Sequence, residues 1–160
     1  MIIGPAAQAD LPQVQSLWNA MIADTNATFT ARLKSDADME TMLHARAECF
    51  LVARDRDGVA GFITWGMFRA GDGYAHTAEH SIITARPRQG VGRDLMRAAC
   101  DKAAAQGIHM LIAGIGGENS AAVAFHARMG FELAGRLPQV GRKNGAWHDL
   151  ILMNRALTKP

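Results

Sequence analysis

Gly90-Val91-Gly92-Arg93 lies between a short apolar run, Ser81-Ile82-Ile83-Thr84, and a helical pattern that continues to Gln106. The apolar run is typical of a buried strand, and the glycines then predict a tight turn into a helix. The first turn of a helix leaves backbone N–H groups free and carries the positive end of the helix dipole. Four arginines surround this turn, namely Arg86, Arg88, Arg93 and Arg97. The stretch therefore predicts a site for a phosphate-bearing ligand, the alternative being a plain helix start with solvated charges.

Hydrophobic periodicity and turn residues predict the elements on both sides of this stretch. Helices are expected after caps at Asp10, Ser35 and Asn119, with Gly107 and Gly130 ending the third and fourth helices. The predicted strands are Ile2-Ile3, Phe50–Ala53, Val59–Met67, Tyr74–Thr84, Met110–Ala113, Phe131–Leu133 and Leu150–Met153, with a loop joining the last two. The order β-α-α-β-β-β-α-β-α-β-β indicates a mixed α/β (α+β) domain with a central twisted sheet flanked by helices.

Length and composition narrow the class of protein. The chain has 160 residues and no internal repeat or linker, so we expect a single domain over 1–160. A formal charge of +2, without a Lys/Arg block and with only ten aromatic residues, argues against a nucleic-acid partner. No apolar run approaches the roughly 20 residues of a membrane span, and no secretory signal is visible. A cytoplasmic protein without a membrane partner is the expectation.

One short motif competes with the phosphate-site interpretation. His76-Thr77-Ala78-Glu79-His80 matches the H-x-x-E-H pattern of certain zinc peptidases. That pattern requires a helix, whereas the context here predicts a strand. Four residues of strand separate the histidines by about 13 Å, too far for one zinc ion with bonds near 2 Å. We therefore expect no metal at this motif.

The ordered set of motifs resembles the GNAT acyltransferases, and within them the phosphinothricin and methionine sulfoximine N-acetyltransferase group. The resemblance covers nearly the whole chain. The matching motifs are Ala27-Thr28-Phe29, Phe68-Arg69, Tyr74-Ala75-His76-Thr77-Ala78-Glu79-His80-Ser81, Asn119-Ser120-Ala121-Ala122, Phe125-His126-Ala127-Arg128-Met129-Gly130-Phe131, and Gly135-Arg136-Leu137-Pro138-Gln139-Val140-Gly141-Arg142-Lys143 with Trp147-His148-Asp149-Leu150. The resemblance implies the GNAT fold and direct acetyl transfer from acetyl-CoA to an amine, without a metal.

The resemblance also implies roles for individual residues. Glu79 is the expected base that takes the amine proton, the alternative being an ion pair with a neighbouring arginine. His126 is the expected acid for the departing thiolate, the alternative being a packed helix histidine. The residues expected to bind acetyl-CoA are Ile82, Ile83, Thr84, Arg88, Gln89, Gly90, Val91, Gly92, Arg93, Asn119 and Ala122.

The acceptor amine has its own expected residues. Phe29 and Trp65 would form an apolar wall, although core packing is the alternative for both, and Arg69 would pair with a carboxylate. Tyr74 completes this set. The late loop with Lys143 and Trp147 is implied to reach the site of a partner subunit, which predicts a homodimer. Its alternative is an exposed turn with one anchoring aromatic residue.

Departures from the group leave the acceptor open. Ile83 replaces a frequent tyrosine and Ala75 a frequent arginine, which weakens the link to one particular acceptor. A third departure, Pro87 in place of a common Gln or Arg, precedes the glycine turn. We expect a small amino-acid-like amine of the phosphinothricin or methionine sulfoximine/sulfone type. A peptide N-terminus, a polyamine or an antibiotic is the alternative acceptor, and a CoA-binding sensor without activity is the alternative function.

Overall fold

A computed structural model describes residues 1–86 and 89–157. The strands are β1 (Ile2–Pro5), β2 (Phe50–Asp55), β3 (Gly58–Met67), β4 (Thr77–Thr84), β5 (Met110–Gly116), β6 (Glu132–Lys143) and β7 (Ala146–Ala156). The helices are α1 (Leu11–Asp24), α2 (Asp36–Ala45), α3 (Val91–Ala105) and α4 (Ser120–Arg128), and short 3-10 turns occupy Gln8–Asp10, Ala47–Cys49 and Asp72–Tyr74. The predicted order of elements and the α/β class are confirmed.

Most helix ends have the capping residues that the sequence predicts. Ser35 Oγ accepts from the Asp38 N–H at 3.2 Å, and Asn119 Oδ1 accepts from the Ala122 N–H at 3.0 Å. Gly107 and Gly130 end α3 and α4 with φ of +82°, a backbone conformation that favours glycine. The predicted cap at Asp10 is wrong, because its carboxylate instead accepts from the Ala7 N–H and pairs with Arg54.

The seven strands form one sheet in the order β1-β2-β3-β4-β5-β7-β6, in which only the β4–β5 pair is parallel. Helices cover both faces. On the face that we call the α3 face, Trp65, Ala78 and Leu111 pack with α3, and Phe125 of α4 packs against the same cluster. On the opposite face, the α1 face, Phe62 and other strand residues pack with α1 and with Met39 of α2. Alternate residues of one strand thus contribute to two separate cores.

The parallel strands β4 and β5 separate partway along their length. Their pairing covers Thr77–His80 and Met110–Ala113 only. Beyond this point β4 remains paired with β3 as far as Thr84, and β5 remains paired with β7 as far as Gly116. A wedge therefore opens through the sheet between Ser81–Thr84 and Gly114–Gly116, and backbone groups that a continuous ladder would pair face it.

Two predicted boundaries are wrong. The strand expected from Tyr74 begins at Thr77, because Asp72–Tyr74 forms a 3-10 turn. The loop expected between Leu133 and Leu150 is instead a long hairpin of β6 and β7. Asn144 and Gly145 have φ of +51° and +78°, the conformation of a two-residue type I′ turn. This Asn-Gly pair was the sequence signal for the hairpin.

Candidate active site

The wedge between β4 and β5 is part of a cleft of about 1330 Å³ that reaches both faces of the sheet. Its lining includes twelve of the predicted site residues: Phe29, Glu79, Ile82, Ile83, Thr84, Gly90, Val91, Gly92, Arg93, Asn119, Ala122 and His126. Neither cysteine lines it. The glycine turn, the strand carboxylate and the α4 helix therefore meet at one cleft, and the roles expected of these residues stay predictions.

On the α3 face, the cleft is lined by the first turn of α3. Gly90 precedes this helix with φ of +82°, and no side chain caps the N–H groups that follow. A Cβ on Gly92 would lie 3.4 Å from the Phe125 ring, so the turn approaches α4 closely. These free amides at a helix N-terminus suit a phosphate group.

The arginines around this turn differ in their partners. Arg86 is held by ion pairs with Asp55 and Asp57, and Arg93 Nε lies 2.9 Å from Asp94 Oδ1. Arg97 also lines the cleft, and within residues 1–86 and 89–157 no carboxylate lies within 4.0 Å of it. Arg88 lies outside the described residues. Of the described arginines around this turn, Arg97 is therefore the one whose charge is most available to an anion.

Two histidines meet beside the wedge on the α3 face. His126 Nδ1 lies 2.8 Å from the Ala122 carbonyl oxygen, so Nδ1 carries the proton and donates it. His126 Nε2 lies 3.1 Å from His80 Nε2, which then donates to it. Burial lowers the pKa of both rings, and the neighbouring His126 contributes to bringing the pKa of His80 to about 3. The pair is neutral at pH 7.

The Glu79 side chain lies on the α1 face of the sheet, and the His80 side chain lies on the α3 face. It pairs in register with Gly66 on β3 and Ile112 on β5. A Cβ on Gly114 would lie 2.8 Å from Glu79 Oε1, so the glycine leaves the space that the carboxylate occupies. The carboxylate opens into the cleft, yet the surrounding walls remove part of its hydration, which raises its pKa above 4.5, while the nearby charge of Arg46 acts in the opposite direction. A carboxylate with a raised pKa is suited to accept a proton.

The segment Ala27–Thr30 forms the cleft wall on the α1 face, and the β6–β7 hairpin holds it in place. Lys143 is buried and donates to the carbonyl oxygens of Ile22, Thr25 and Thr28 at 2.6, 2.6 and 3.1 Å. Phe29 stacks on His148 with 5.6 Å between ring centroids. A Cβ on Gly141 would clash with the Phe29 ring. The hairpin thereby fixes the position of Phe29.

Several predicted site residues lie elsewhere. Trp65 is in the core and donates to Gln106 Oε1 at 3.1 Å, which corrects its assignment to an apolar wall. Lys143 uses its ammonium group for the three carbonyls and does not line the cleft. The remaining four are also outside it: Gln89 lines a separate shallow depression, Arg69 and Tyr74 contact the Phe68 ring on the surface, and exposed Trp147 contacts Arg142.

Other cleft residues on the α1 face were missed by sequence reasoning. Trp18 and Met21 come from α1, and Lys34 follows the Ala27–Thr30 segment. The two α1 residues fit the helical periodicity that is typical of the core side of a helix, and only the fold shows that they also face a cleft. For Lys34, no local pattern distinguishes it from an exposed lysine.

The zinc motif does not form a metal site. His76 Nδ1 lies 2.7 Å from the Gly107 carbonyl oxygen, while His80 points into the α3 face. Within the described residues, no three His, Cys, Asp or Glu side chains form a group that could hold a metal ion. None of the helices in residues 1–86 and 89–157 combines the length and the hydrophobicity of a membrane span.

A sequence profile described as the acetyltransferase (GNAT) domain matches residues 3–152. This chain belongs to the GNAT acetyltransferase family. It is 36% identical over 157 residues to an L-methionine sulfoximine/L-methionine sulfone acetyltransferase of Pseudomonas paraeruginosa, covering 94% of this chain and 91% of that one. The family's acetyl donor, acetyl-CoA, is bound in some of the solved relatives.

Two solved structures share the fold over nearly the whole chain. The ribosomal-protein-alanine N-acetyltransferase of Brucella melitensis has a TM-score of 0.92 at 34% identity, with coverage of 98% of this chain and 99% of that one. The phosphinothricin acetyltransferase of Sinorhizobium meliloti, in complex with acetyl-CoA, has a TM-score of 0.92 at 29% identity, with coverage of 99% and 92%. This GNAT member is an acetyl-CoA-dependent N-acetyltransferase.

Proposed function

We propose that this GNAT enzyme acetylates the amino group of a small amino-acid-like acceptor of the methionine sulfoximine/sulfone or phosphinothricin type. The observation that carries the proposal is Glu79, a carboxylate in the wedge with a raised pKa, on the opposite face from the glycine turn. The named activities of the relatives support this acceptor class.

Acetyl-CoA supplies the acetyl group as a thioester, and the α3 side of the cleft fits this donor. Val91, Gly92 and Arg93 would hold the pyrophosphate with backbone N–H groups, and Arg97 would add charge. Ile82, Ile83 and Thr84 line the wedge where β4 has left β5, so their backbone groups are positioned to pair with the amides of the donor's arm. Asn119 and Ala122 of α4 would form the wall beside it, although the Asn119 side chain already caps its helix.

Glu79 is the proposed base. The α-amino group of an amino acid is mostly protonated at pH 7, and the resulting ammonium has no lone pair for attack on a thioester. The Glu79 carboxylate accepts this proton, directly or through one water, and the nitrogen then forms its bond to the carbonyl carbon as the C–S bond breaks. The acylated nitrogen loses its second proton to solvent, and CoA departs as the thiolate. The glycine at position 114 leaves the carboxylate free to face the acceptor.

The role of His126 follows from its hydrogen bonds. As an acid for the thiolate it would need a second proton on Nε2, which would make it a cation at a site where burial disfavours charge. Its Nδ1 bond to Ala122 and its Nε2 contact with His80 instead fit a neutral packed pair. We therefore favour a positioning role for His126 at the wedge. In this proposal, solvent protonates the departing thiolate.

A free-thiol release assay with acetyl-CoA tests the acceptor class. Methionine sulfoximine, methionine sulfone and phosphinothricin are compared with polyamines, aminoglycosides and a peptide beginning with alanine. Turnover is expected on the first three. Turnover on the peptide alone would favour a protein N-terminus as the acceptor, and acetyl-CoA binding without turnover on any amine would favour a CoA-binding sensor.

The homodimer expected from the resemblance is also a proposal. Strand β6 lies at the edge of the sheet, and the β6–β7 hairpin exposes Leu133, Leu137, Val140 and Trp147. An exposed edge strand with apolar side chains is a suitable surface for packing against a second copy of this chain. Sedimentation equilibrium at micromolar concentration is expected to give twice the 17.2 kDa chain mass, and a single-chain mass would contradict the dimer.

A further inference from the structure

Arg46 is a half-buried cation on the α1 face, outside the residues that the proposed chemistry uses. It connects the end of α2 to the 3-10 turn Ala47–Cys49. The backbone is fixed on both sides of this residue: the Arg46 N–H donates to the Met42 carbonyl oxygen at 2.9 Å, and the Cys49 N–H donates to the Arg46 carbonyl oxygen at 2.7 Å. The side chain therefore starts from a defined position next to the sheet.

The guanidinium of Arg46 lies over a glycine of β3. Its Cζ, Nε and Nη2 atoms are each 3.2 Å from the position that a Cβ on Gly66 would take. A side chain at this position would force the guanidinium to move, so the glycine leaves the space that Arg46 occupies. Gly66 pairs directly with Glu79 across β3 and β4, and the side chains of directly paired residues lie on the same face. The guanidinium is therefore next to Glu79, on the side of β3.

The wedge lies on the other side of Glu79. Its Oε1 atom is 2.8 Å from the Cβ position of Gly114 on β5, and Glu79 lines the cleft whereas Arg46 does not. Among residues 1–86 and 89–157, no carboxylate oxygen lies within 4.0 Å of the Arg46 guanidinium, and no acceptor group hydrogen-bonds to it. The charge of Arg46 therefore acts on Glu79 through space, from a position behind the carboxylate.

Arg46 is the charge that counteracts the enclosure of Glu79. Loss of hydration raises the pKa of this carboxylate, and the charge of Arg46 lowers it. Two other ionisable groups lie on this face: Lys34 lines the cleft, and His148 stacks on Phe29 behind the cleft wall. The described residues of β3, β5 and α1 that neighbour Glu79 or line this part of the cleft are uncharged, namely Gly66, Ile112, Gly114, Trp18 and Met21.

A carboxylate beside a fixed cation stays ionised to lower pH, and only the ionised form can take a proton from the acceptor. We infer that Arg46 is a positioning residue that keeps the Glu79 carboxylate ionised and ready to accept the amine proton, without touching the acceptor or the donor. The inference rests on the proposed function, in which Glu79 is the base. This role is distinct from that of Arg69, the cation expected to pair with the acceptor carboxylate.

The test follows the ionisation of Glu79 both directly and through the rate. Arg46→Met and Arg46→Gln remove the charge, Arg46→Lys keeps it, and Arg32→Met is the control, because Arg32 is an arginine near α2 that is already paired with Asp38. Carbon NMR of protein with labelled glutamate carboxyl groups gives the titration of all five glutamates in the free enzyme, and Glu79→Gln identifies the signal of Glu79. The rate is kcat/KM for methionine sulfone at saturating acetyl-CoA, from pH 5 to 9.

The two neutral variants are expected to move the titration midpoint of Glu79 and the acidic limb of the rate profile together to higher pH. At pH 5.5, kcat/KM relative to its value at pH 8 should fall about three- to tenfold below that of the wild type, while the rate at pH 8 changes little. Arg46→Lys should retain most of the wild-type profile, and Arg32→Met should retain all of it.

An unchanged Glu79 midpoint in Arg46→Met and Arg46→Gln would overturn the role of Arg46 while leaving the proposed function intact. A rise in acceptor KM that is equal at every pH, with the limb unmoved, would also overturn it and would make Arg46 a contact of the acceptor. If the midpoint moves but Glu79→Gln keeps wild-type rates, the proposed function of Glu79 fails, and the inference fails with it.

Discussion

The two faces of the cleft are built in different ways. On the α3 face, consecutive residues Gly90–Arg93 present backbone groups, and a helix dipole provides the field. On the α1 face, side chains from distant parts of the chain meet: Lys143 lies 115 to 121 positions from the carbonyls that it holds. In the proposed function, the acetyl donor would therefore be held by local backbone geometry, while the acceptor site would depend on long-range contacts.

Glu79→Gln is expected to have the largest effect, because it removes the carboxylate that is proposed to take the proton of the acceptor amine. Transfer should fall about 10²- to 10⁴-fold, the usual contribution of a general base. In the wild type, the raised pKa of Glu79 should place the acidic limb of the rate profile above pH 4.5, and rates should fall as the carboxylate is protonated. The variant should lose this limb.

Steady-state rates from pH 5 to 9 measure this effect, and acetyl-CoA affinity should stay unchanged. Exposed Glu132→Gln is the control. A variant with wild-type rates across this range would remove Glu79 from the base role.

Gly92→Val would alter the α3 face alone. A Cβ at this position already lies 3.4 Å from Phe125 and 3.6 Å from Thr84, so the branched side chain would crowd the turn that faces the donor. Acetyl-CoA affinity should fall about tenfold or more, which corresponds to about 1.4 kcal/mol. Isothermal titration gives this affinity, and KM for the acceptor should change little. An acceptor KM that rises as much as the acetyl-CoA Kd would show that the two faces are not independent.

Lys143→Met would alter the α1 face alone. Three carbonyl groups lose their donor, which we expect to cost about 2 kcal/mol in the free energy of unfolding. Acceptor KM should rise several-fold because Ala27–Thr30 loses its anchor, while acetyl-CoA affinity stays unchanged. Denaturant titration and steady-state kinetics measure both effects.

Lys102→Met, which removes an ion pair with Glu48, is the matched control and should cost less than about 1 kcal/mol. Equal losses of stability in the two variants would contradict the anchoring role of Lys143.

The smallest expected effect is a pH dependence of stability that originates on the α3 face. Burial lowers the pKa of His80 from its ordinary value of 6.5 to about 3 in the folded protein, so the unfolded chain binds a proton first as the pH falls below 6.5. The free energy of unfolding should therefore decrease by about 1 to 2 kcal/mol between pH 7 and 5 through this residue.

His80→Phe should remove most of this decrease, and exposed His76→Gln should not. Denaturant midpoints at several pH values test the assignment. A pH dependence that is the same in His80→Phe and the wild type would contradict it.

The same contrast explains how much could be predicted from the sequence. The fold, the turn at Gly90, the position of Glu79 and the caps at Ser35 and Asn119 follow from local patterns, and the structure confirms them. The assignment of Trp65 to the acceptor site was wrong because side-chain direction across the sheet depends on the tertiary structure. Burial of the Lys143 ammonium group likewise depends on long-range contacts, and the role of Arg69 stays a prediction. Trp147 was placed in a loop because the Asn144-Gly145 hairpin signal was overlooked.

The central claim is that one continuous cleft holds donor and acceptor together, with Glu79 between them. Initial rates with acetyl-CoA and methionine sulfone, both varied, test this claim most directly. We predict intersecting double-reciprocal lines, as expected for direct transfer in a ternary complex, since neither cysteine lines the cleft to form an acyl-enzyme. Parallel lines, with acetyl-enzyme trapped in the absence of acceptor, would contradict it.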